Sequence, residues 1–175
     1  MKYLIVSDIH GASDSAQVIS DVFKREKCDL IICLGDILYH GPRNDLPNNY
    51  CPKDVIKILN PLANKIIAIK GNCEAEVDQM VLDFKINDSL NMEINGLRCH
   101  LEHGHHLDSF SGDCDIVLYG HTHIPDNSVK DGIMFFNPGS ITLPKNNSKR
   151  SYAIWEDKII KLFDINGIEL DTLKY

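Results

Sequence analysis

Within its first seventy residues the chain repeats one unit, an apolar run, a polar tip and then an amphipathic stretch. Residues 3–6 form the first run and end in Ser7-Asp8-Ile9-His10. Residues 29–34 form the second and end in Gly35-Asp36, and residues 65–69 form the third and end in Gly71-Asn72. Between the first two runs, Ala16, Val18, Ile19, Val22 and Phe23 recur at helical spacing, with Ser13 or Asp14 placed to cap the start. Before the third run, Pro52 suits a first helical turn, with Val55, Ile56, Ile58 and Leu59 on one face. A loop over 40–51, rich in Gly, Pro and Asn, precedes that helix. Strand–helix–strand–helix–strand leaves few choices: parallel strands joined by right-handed crossovers.

Beyond the acidic segment 74–83 the pattern changes. Residues 89–94 and 97–103 flank Asn95-Gly96, which supplies the positive φ angles of a type I′ hairpin turn. Residues 115–119 form another buried strand, and Asp131-Gly132 turns 127–130 into 133–137. Residues 151–174 read as three short strands with turns at Glu156-Asp157 and Asn166-Gly167. At 175 residues, with no linker long enough to divide it, the chain is expected to form one domain over 1–175. The expected architecture is α/β, with two mixed sheets packed together and helices outside.

The charge balance excludes some partners. Eighteen basic residues stand against 25 acidic ones, for a net charge of −7, the opposite of a surface that grips extended nucleic acid through its phosphates. No run approaches the ~18 consecutive apolar residues of a membrane span, and the N-terminal apolar run is too short for a secretory signal. The six cysteines form no C-x-x-C pair and read as reduced thiols. A cytoplasmic location is the resulting expectation.

Chemistry gathers at the strand ends. In open α/β sheets, ligands bind beyond the carboxyl ends of parallel strands. Three such ends would bring Asp8, His10, Asp36 and Asn72 to one edge. Later strands add Glu102-His103-Gly104 and Gly120-His121-Thr122-His123. Two carboxylates, one carboxamide and four imidazoles make a metal-ligand set, and seven ligands with one shared carboxylate suit two ions. Each fragment alone is weak, because D-x-H arises by chance and Gly-Asp is commonly only a turn. In combination, every fragment ends an apolar strand.

The ordered motifs D-x-H, G-D, G-N, His-Gly and G-H-x-H resemble the calcineurin-like metallophosphoesterases. The resemblance tightens to the YfcE-type phosphodiesterases, small bacterial members of that superfamily. It is carried by Gly35-Asp36-Ile37-Leu38-Tyr39-His40-Gly41-Pro42-Arg43-Asn44, Gly71-Asn72-Cys73-Glu74, Glu76-Val77-Asp78-Gln79-Met80, Tyr119-Gly120-His121-Thr122-His123 and Asn137-Pro138-Gly139-Ser140. It runs from Met1 to about Pro144, with the C-terminal strands similar only in pattern. It implies a four-layer α/β/β/α sandwich. One metal would rest on Asp8, His10, Asp36 and His123, and the second on Asp36, Asn72, His103 and His121, with Asp36 bridging. Manganese is the ion it favours. Four imidazoles independently disfavour magnesium and suit Mn, Fe, Zn, Co or Ni.

Two divalent ions, two carboxylates and a bridging hydroxide leave the loaded centre at about +1, which attracts a phosphoryl group. The expected function is therefore a dinuclear phosphodiesterase of small phosphodiesters, with the bridging hydroxide as nucleophile. Asp36, Asn72, Cys73 and His103 carry the chemistry. Cys73 stands where many relatives have a histidine that protonates the leaving group, and a thiol is a weaker donor. Arg43, His40 and His105 are the candidate substrate contacts, whereas strand alternation turns His100 and Glu102 away. A phosphomonoesterase or nucleotidase is the alternative on the same site, and a non-catalytic scaffold module the alternative of another class. The resemblance also implies a homo-oligomer, dimer or tetramer.

Overall fold

The computed structural model describes residues 1–107 and 110–175. The early repeat folds as β1 (Lys2–Val6), α1 (Ser13–Arg25), β2 (Leu30–Cys33), α2 (Pro52–Leu59), a 3-10 turn (Asn60–Lys65) and β3 (Ile66–Ile69). A four-residue helix α3 (Asp78–Val81) and a two-residue strand β4 (Ile86–Asn87) follow. Neither is legible in the sequence, because both are too short to show a period. The hairpin is β5 (Leu90–Ile94) and β6 (Leu97–Leu101). Next come β7 (Ile116–Leu118), β8 (Asp126–Lys130) and β9 (Ile133–Asn137). The three C-terminal strands are β10 (Ser151–Glu156), β11 (Ile159–Asp164) and β12 (Glu169–Lys174).

Two mixed sheets result. The first runs β12-β11-β10-β1-β2-β3-β4, with β1 through β4 parallel and β10 antiparallel to β1. The second runs β5-β6-β7-β9-β8, with β6, β7 and β9 parallel. Alternation along β1 explains why its sequence is apolar throughout. Leu4 and Val6 pack with Ala16, Ile19, Val22, Val55 and Leu59 of the helices, while Tyr3 and Ile5 pack with Leu101, Ile116, Leu118 and Trp155 between the sheets. A strand buried on both faces has no polar side to alternate. On the outer face of the second sheet, Val117 and Tyr119 are covered by Leu107 and Phe110. The α/β architecture of two mixed sheets with helices is thus as expected. The cysteines are free thiols, four of them buried as small apolar residues.

The start of α1 departs from expectation. Neither Ser13 nor Asp14 caps it; the cap position is Ala12, with no side-chain hydrogen bond. Instead the Ser13 N–H and Oγ–H both donate to the Asn49 carbonyl, at 3.0 and 3.1 Å, and Ala12 bridges Tyr50. The helix end thereby spends its free donor on pinning the loop 40–51 that follows Asp36.

Candidate metal centre

The strand tips are laced to one another by backbone. The Asp8, His10 and Gly11 N–H groups donate to the carbonyls of Gly35, Asp36 and Ile37, and the Gly120 N–H donates to His103. Asp8, His10, Asp36, His121 and His123 all adopt left-handed φ, between 50° and 66°. For residues other than glycine this conformation is sparsely populated and costs about 1–3 kcal/mol each. It turns each side chain back over the strand end instead of letting the chain run on. The motif Asn137-Pro138-Gly139-Ser140 buttresses these turns. Asn137 Nδ2 donates to the Gly120 carbonyl at 2.7 Å, and Ser140 Oγ donates to the Asp8 carbonyl at 2.9 Å.

Every nominated metal donor is drawn to this edge. Ligand atoms of Asp8, His10 and His123 lie within 4.8 Å of one another, and so do those of Asp8, Asp36 and His103. His103 Nε2 stands 3.2 Å from Asn72 Oδ1 and 3.4 Å from Asp36 Oδ2. The His121 ring lies edge-on to His103, with centroids 5.2 Å apart. Three of the imidazoles are aimed in the same way. Their Nδ1–H groups donate to backbone carbonyls: His10 to Tyr39 at 2.9 Å, His103 to Leu34 at 2.6 Å and His123 to Leu143 at 2.6 Å. Each Nε2 is thus left to face the cluster, an orientation suited to a metal-binding histidine.

The electrostatics fit cations. Both Asp8 carboxylate oxygens are buried and accept no hydrogen bond among the described residues, a costly state for an ionised group without a cation. Burial alone would raise the Asp8 and Asp36 pKa values, but neighbouring imidazoles outweigh it and hold both carboxyls below their ordinary range. The converse holds at His103: burial pulls down, the Asp36 and Asp8 carboxylates push up, and the pKa rises to about 9. His10 is raised too, through Asp8, against its burial. Burial, with the charge of His103, takes His121 down to about 4. Both raised imidazoles face carboxylates, His10 toward Asp8 and His103 toward Asp36. The donor set fits two divalent ions.

Glu74 is a participant whose role the sequence left unassigned. Its carboxylate accepts from the N–H groups of Asp36 at 2.9 Å, Ile37 at 2.5 Å and Gly71. It ties the second and third strand ends together beneath Asp36. An acid directly after Gly-Asn-Cys was the available signal. Two glycines permit the same closeness. A Cβ on Gly71 would strike Asp36 Oδ1, and one on Gly120 would strike Ser7 Oγ.

The nominated substrate contacts divide. Arg43 and Cys73 line the cleft above the cluster, together with Asn44, Thr122 and Lys145. His40 is not among the lining residues; its ring packs edge-on against Tyr39 and Tyr50, at 4.8 and 5.2 Å. His105 also stays outside the lining, its ring tilted against His106 and His103 with centroids 4.1 and 5.5 Å apart. His100 and Glu102 point to the far face, 3.6 Å apart, as alternation requires.

Residues 1–158 match the family model of the calcineurin-like phosphoesterase superfamily domain. The chain is 37% identical to phosphodiesterase YfcE of Escherichia coli K12 over 172 residues, covering 95% of this chain and 93% of that one. It is 26% identical to the probable metallophosphoesterase YsnB of Bacillus subtilis, over 99% and 97% of the two chains. The similarity therefore continues past Pro144 into the C-terminal strands. The solved structure of the Escherichia coli phosphoesterase YfcE superposes with a TM-score of 0.94 at 34% identity, covering 99% of both chains. Vps29 of Entamoeba histolytica, solved with Zn²⁺, shares the fold at a TM-score of 0.67 and 23% identity, again over 99% of both chains. This chain belongs to the calcineurin-like phosphoesterase superfamily.

Proposed function

We propose that the chain, as one domain over 1–175, hydrolyses small phosphodiesters with two divalent metal ions, manganese foremost. The observation that carries this reading is the inward aim of His10, His103 and His123 toward Asp8 and Asp36, each imidazole oriented by a backbone carbonyl. Asp8, His10, Asp36 and His123 would hold one ion, and Asp36, Asn72, His103 and His121 the other. Bound there, divalent ions supply an acidified water as nucleophile and positive charge for the phosphoryl oxygens. The protein's own part is positional. Asp36 is fixed by the Cys73 N–H, which donates to Oδ1 at 2.9 Å, and by Glu74 beneath its backbone. Arg43 lines the cleft from the loop 40–51, where a guanidinium can pair with an anionic group of the substrate.

The test is hydrolysis of bis-p-nitrophenyl phosphate against p-nitrophenyl phosphate by metal-stripped protein, adding back Mn, Fe, Co, Ni and Zn in turn. Metal-dependent cleavage of the diester is expected, with Asp36→Ala reducing it by at least ~10³-fold. Preference for the monoester would favour a phosphomonoesterase or nucleotidase. Inactivity on both esters with every ion would sink the catalytic reading.

A further inference from the structure

The cleft above the donor cluster encloses about 320 Å³ and carries two cationic side chains on its walls, Arg43 and Lys145. Among the described residues Asp36 is the only carboxylate lining it, and that side chain is 3% exposed and turned toward His10 and His103. Among the described residues, neither Arg43 nor Lys145 forms an ion pair. Some other cations of this acidic chain do, although several, such as Lys53 and Lys158, do not. Arg98, Arg150, Lys57 and Lys161 each sit 2.7–2.9 Å from a carboxylate.

Both side chains rise from anchored backbone. The Lys145 N–H donates to the carbonyl of His123 at 3.2 Å, and its own carbonyl accepts from the Ser148 N–H and Oγ–H at 3.0 and 2.6 Å. The lysine thus stands beside a nominated metal donor. Arg43 comes from the other loop, where Asn44 Nδ2 donates to the His40 carbonyl at 2.7 Å.

We infer that Arg43 and Lys145 form an anion subsite for a second charged group on the substrate, so that the preferred substrates are small phosphodiesters bearing an appended phosphate. A phosphodiester carries one negative charge, which the donor cluster with its ions already meets. Two further cations are balanced by a phosphate monoester, at about −1.5 to −2 near neutral pH. The guanidinium offers a planar fork and the ammonium a point charge, a pairing suited to phosphate. The cleft is near the small end of ligand sites, which run from about 300 to 1,000 Å³. It suits a phosphorylated small molecule rather than a polymer.

The inference rests on the phosphodiesterase reading, and the experiment separates the two. Alkyl p-nitrophenyl phosphates with two to four methylenes, ending in either methyl or phosphonate, share one scissile bond and one chromogenic leaving group. Wild-type protein loaded with Mn²⁺ is expected to prefer the phosphonate ends by about tenfold in kcat/KM, mainly through KM. Lys145→Ala and Arg43→Ala should each bring that ratio toward one, Lys145→Arg should restore most of it, and added salt should narrow it. Equal kcat/KM for both ends in the wild type overturns the subsite and leaves the phosphodiesterase reading standing. A ratio unmoved in Lys145→Ala does the same, including when both esters lose rate equally, which assigns the cation to the scissile phosphate. No metal-dependent hydrolysis of either series overturns both.

Discussion

At the scale of single residues, the centre is defined by what holds the donors still. Glu74 accepts three backbone N–H groups beneath Asp36, which have no other partner among the described residues. Leaving buried donors unpaired costs about 1–3 kcal/mol each. Glu74→Ala is therefore expected to lower stability by ~3 kcal/mol or more and to weaken metal binding, read by thermal unfolding and by calorimetric titration with Mn²⁺. Cys73 offers a different test. Burial, followed by the charge of Asp36, pushes its thiol up to about 12, which makes it a feeble proton donor near neutrality. If leaving-group protonation is what the thiol fails to supply, Cys73→His should speed hydrolysis of alkyl esters by about 10²-fold and of nitrophenyl esters far less. An unchanged ratio between the two ester types would count against that role.

At the scale of elements, the turns after the strands do the positioning. They work because glycine lets neighbouring strand ends approach until a carboxylate fills the space a methyl group would need. Gly71→Ala places its Cβ on Asp36 Oδ1 and within 2.5 Å of the Asp36 backbone nitrogen. Far-ultraviolet circular dichroism should remain that of the wild type, since the sheets do not depend on this contact. Mn²⁺ affinity should fall by at least ~10-fold, because the Asp36 carboxylate is displaced. Much of this scale is legible in the sequence. Asp8, His10, Asp36, Asn72, His103, His121 and His123 each follow an apolar run closely, so strand prediction alone delivers them to one edge. Lys145 and Glu74 do not announce themselves in this way. Lys145 follows no strand, and the partners of Glu74 are backbone groups up to 38 residues away. The supposed caps Ser13 and Asp14 failed for a related reason. A distant carbonyl, Asn49, claimed the helix's first donor.

For the molecule as a whole, charge in the sequence and charge at the centre are separate matters. The net −7 counts every ionisable group, Asp8 and Asp36 included, whereas at the buried cluster the His103 imidazole, its pKa raised to about 9, stands against the Asp36 carboxylate. A metal ion held by that ring would displace its proton. Because His103 retains its proton up to about pH 9 in the metal-free protein, apparent metal affinity should rise with pH by up to ~10-fold per unit for each proton released, and level off above that value. Titrations at several pH values, with proton release followed in weak buffer, would measure it. The sign is the same for stability. A raised His103 pKa stabilises the metal-free protein below 6.5, and that contribution disappears as pH climbs through 9.

The donors proposed for the centre were legible in the sequence, since residue types, their order and their place after apolar runs are local properties that strand periodicity exposes. The alternation of buried runs with amphipathic stretches likewise determined parallel strands with helices on one face. Distance and aim belong to the tertiary structure alone. The carbonyls that orient His10, His103 and His123 lie 29, 69 and 20 residues away in the chain. Likewise, the cleft wall that carries Lys145 meets the one carrying Arg43 only once both sheets are packed. No local pattern encodes such partners, because a hydrogen bond to a remote backbone oxygen places almost no demand on the type of residue that supplies it.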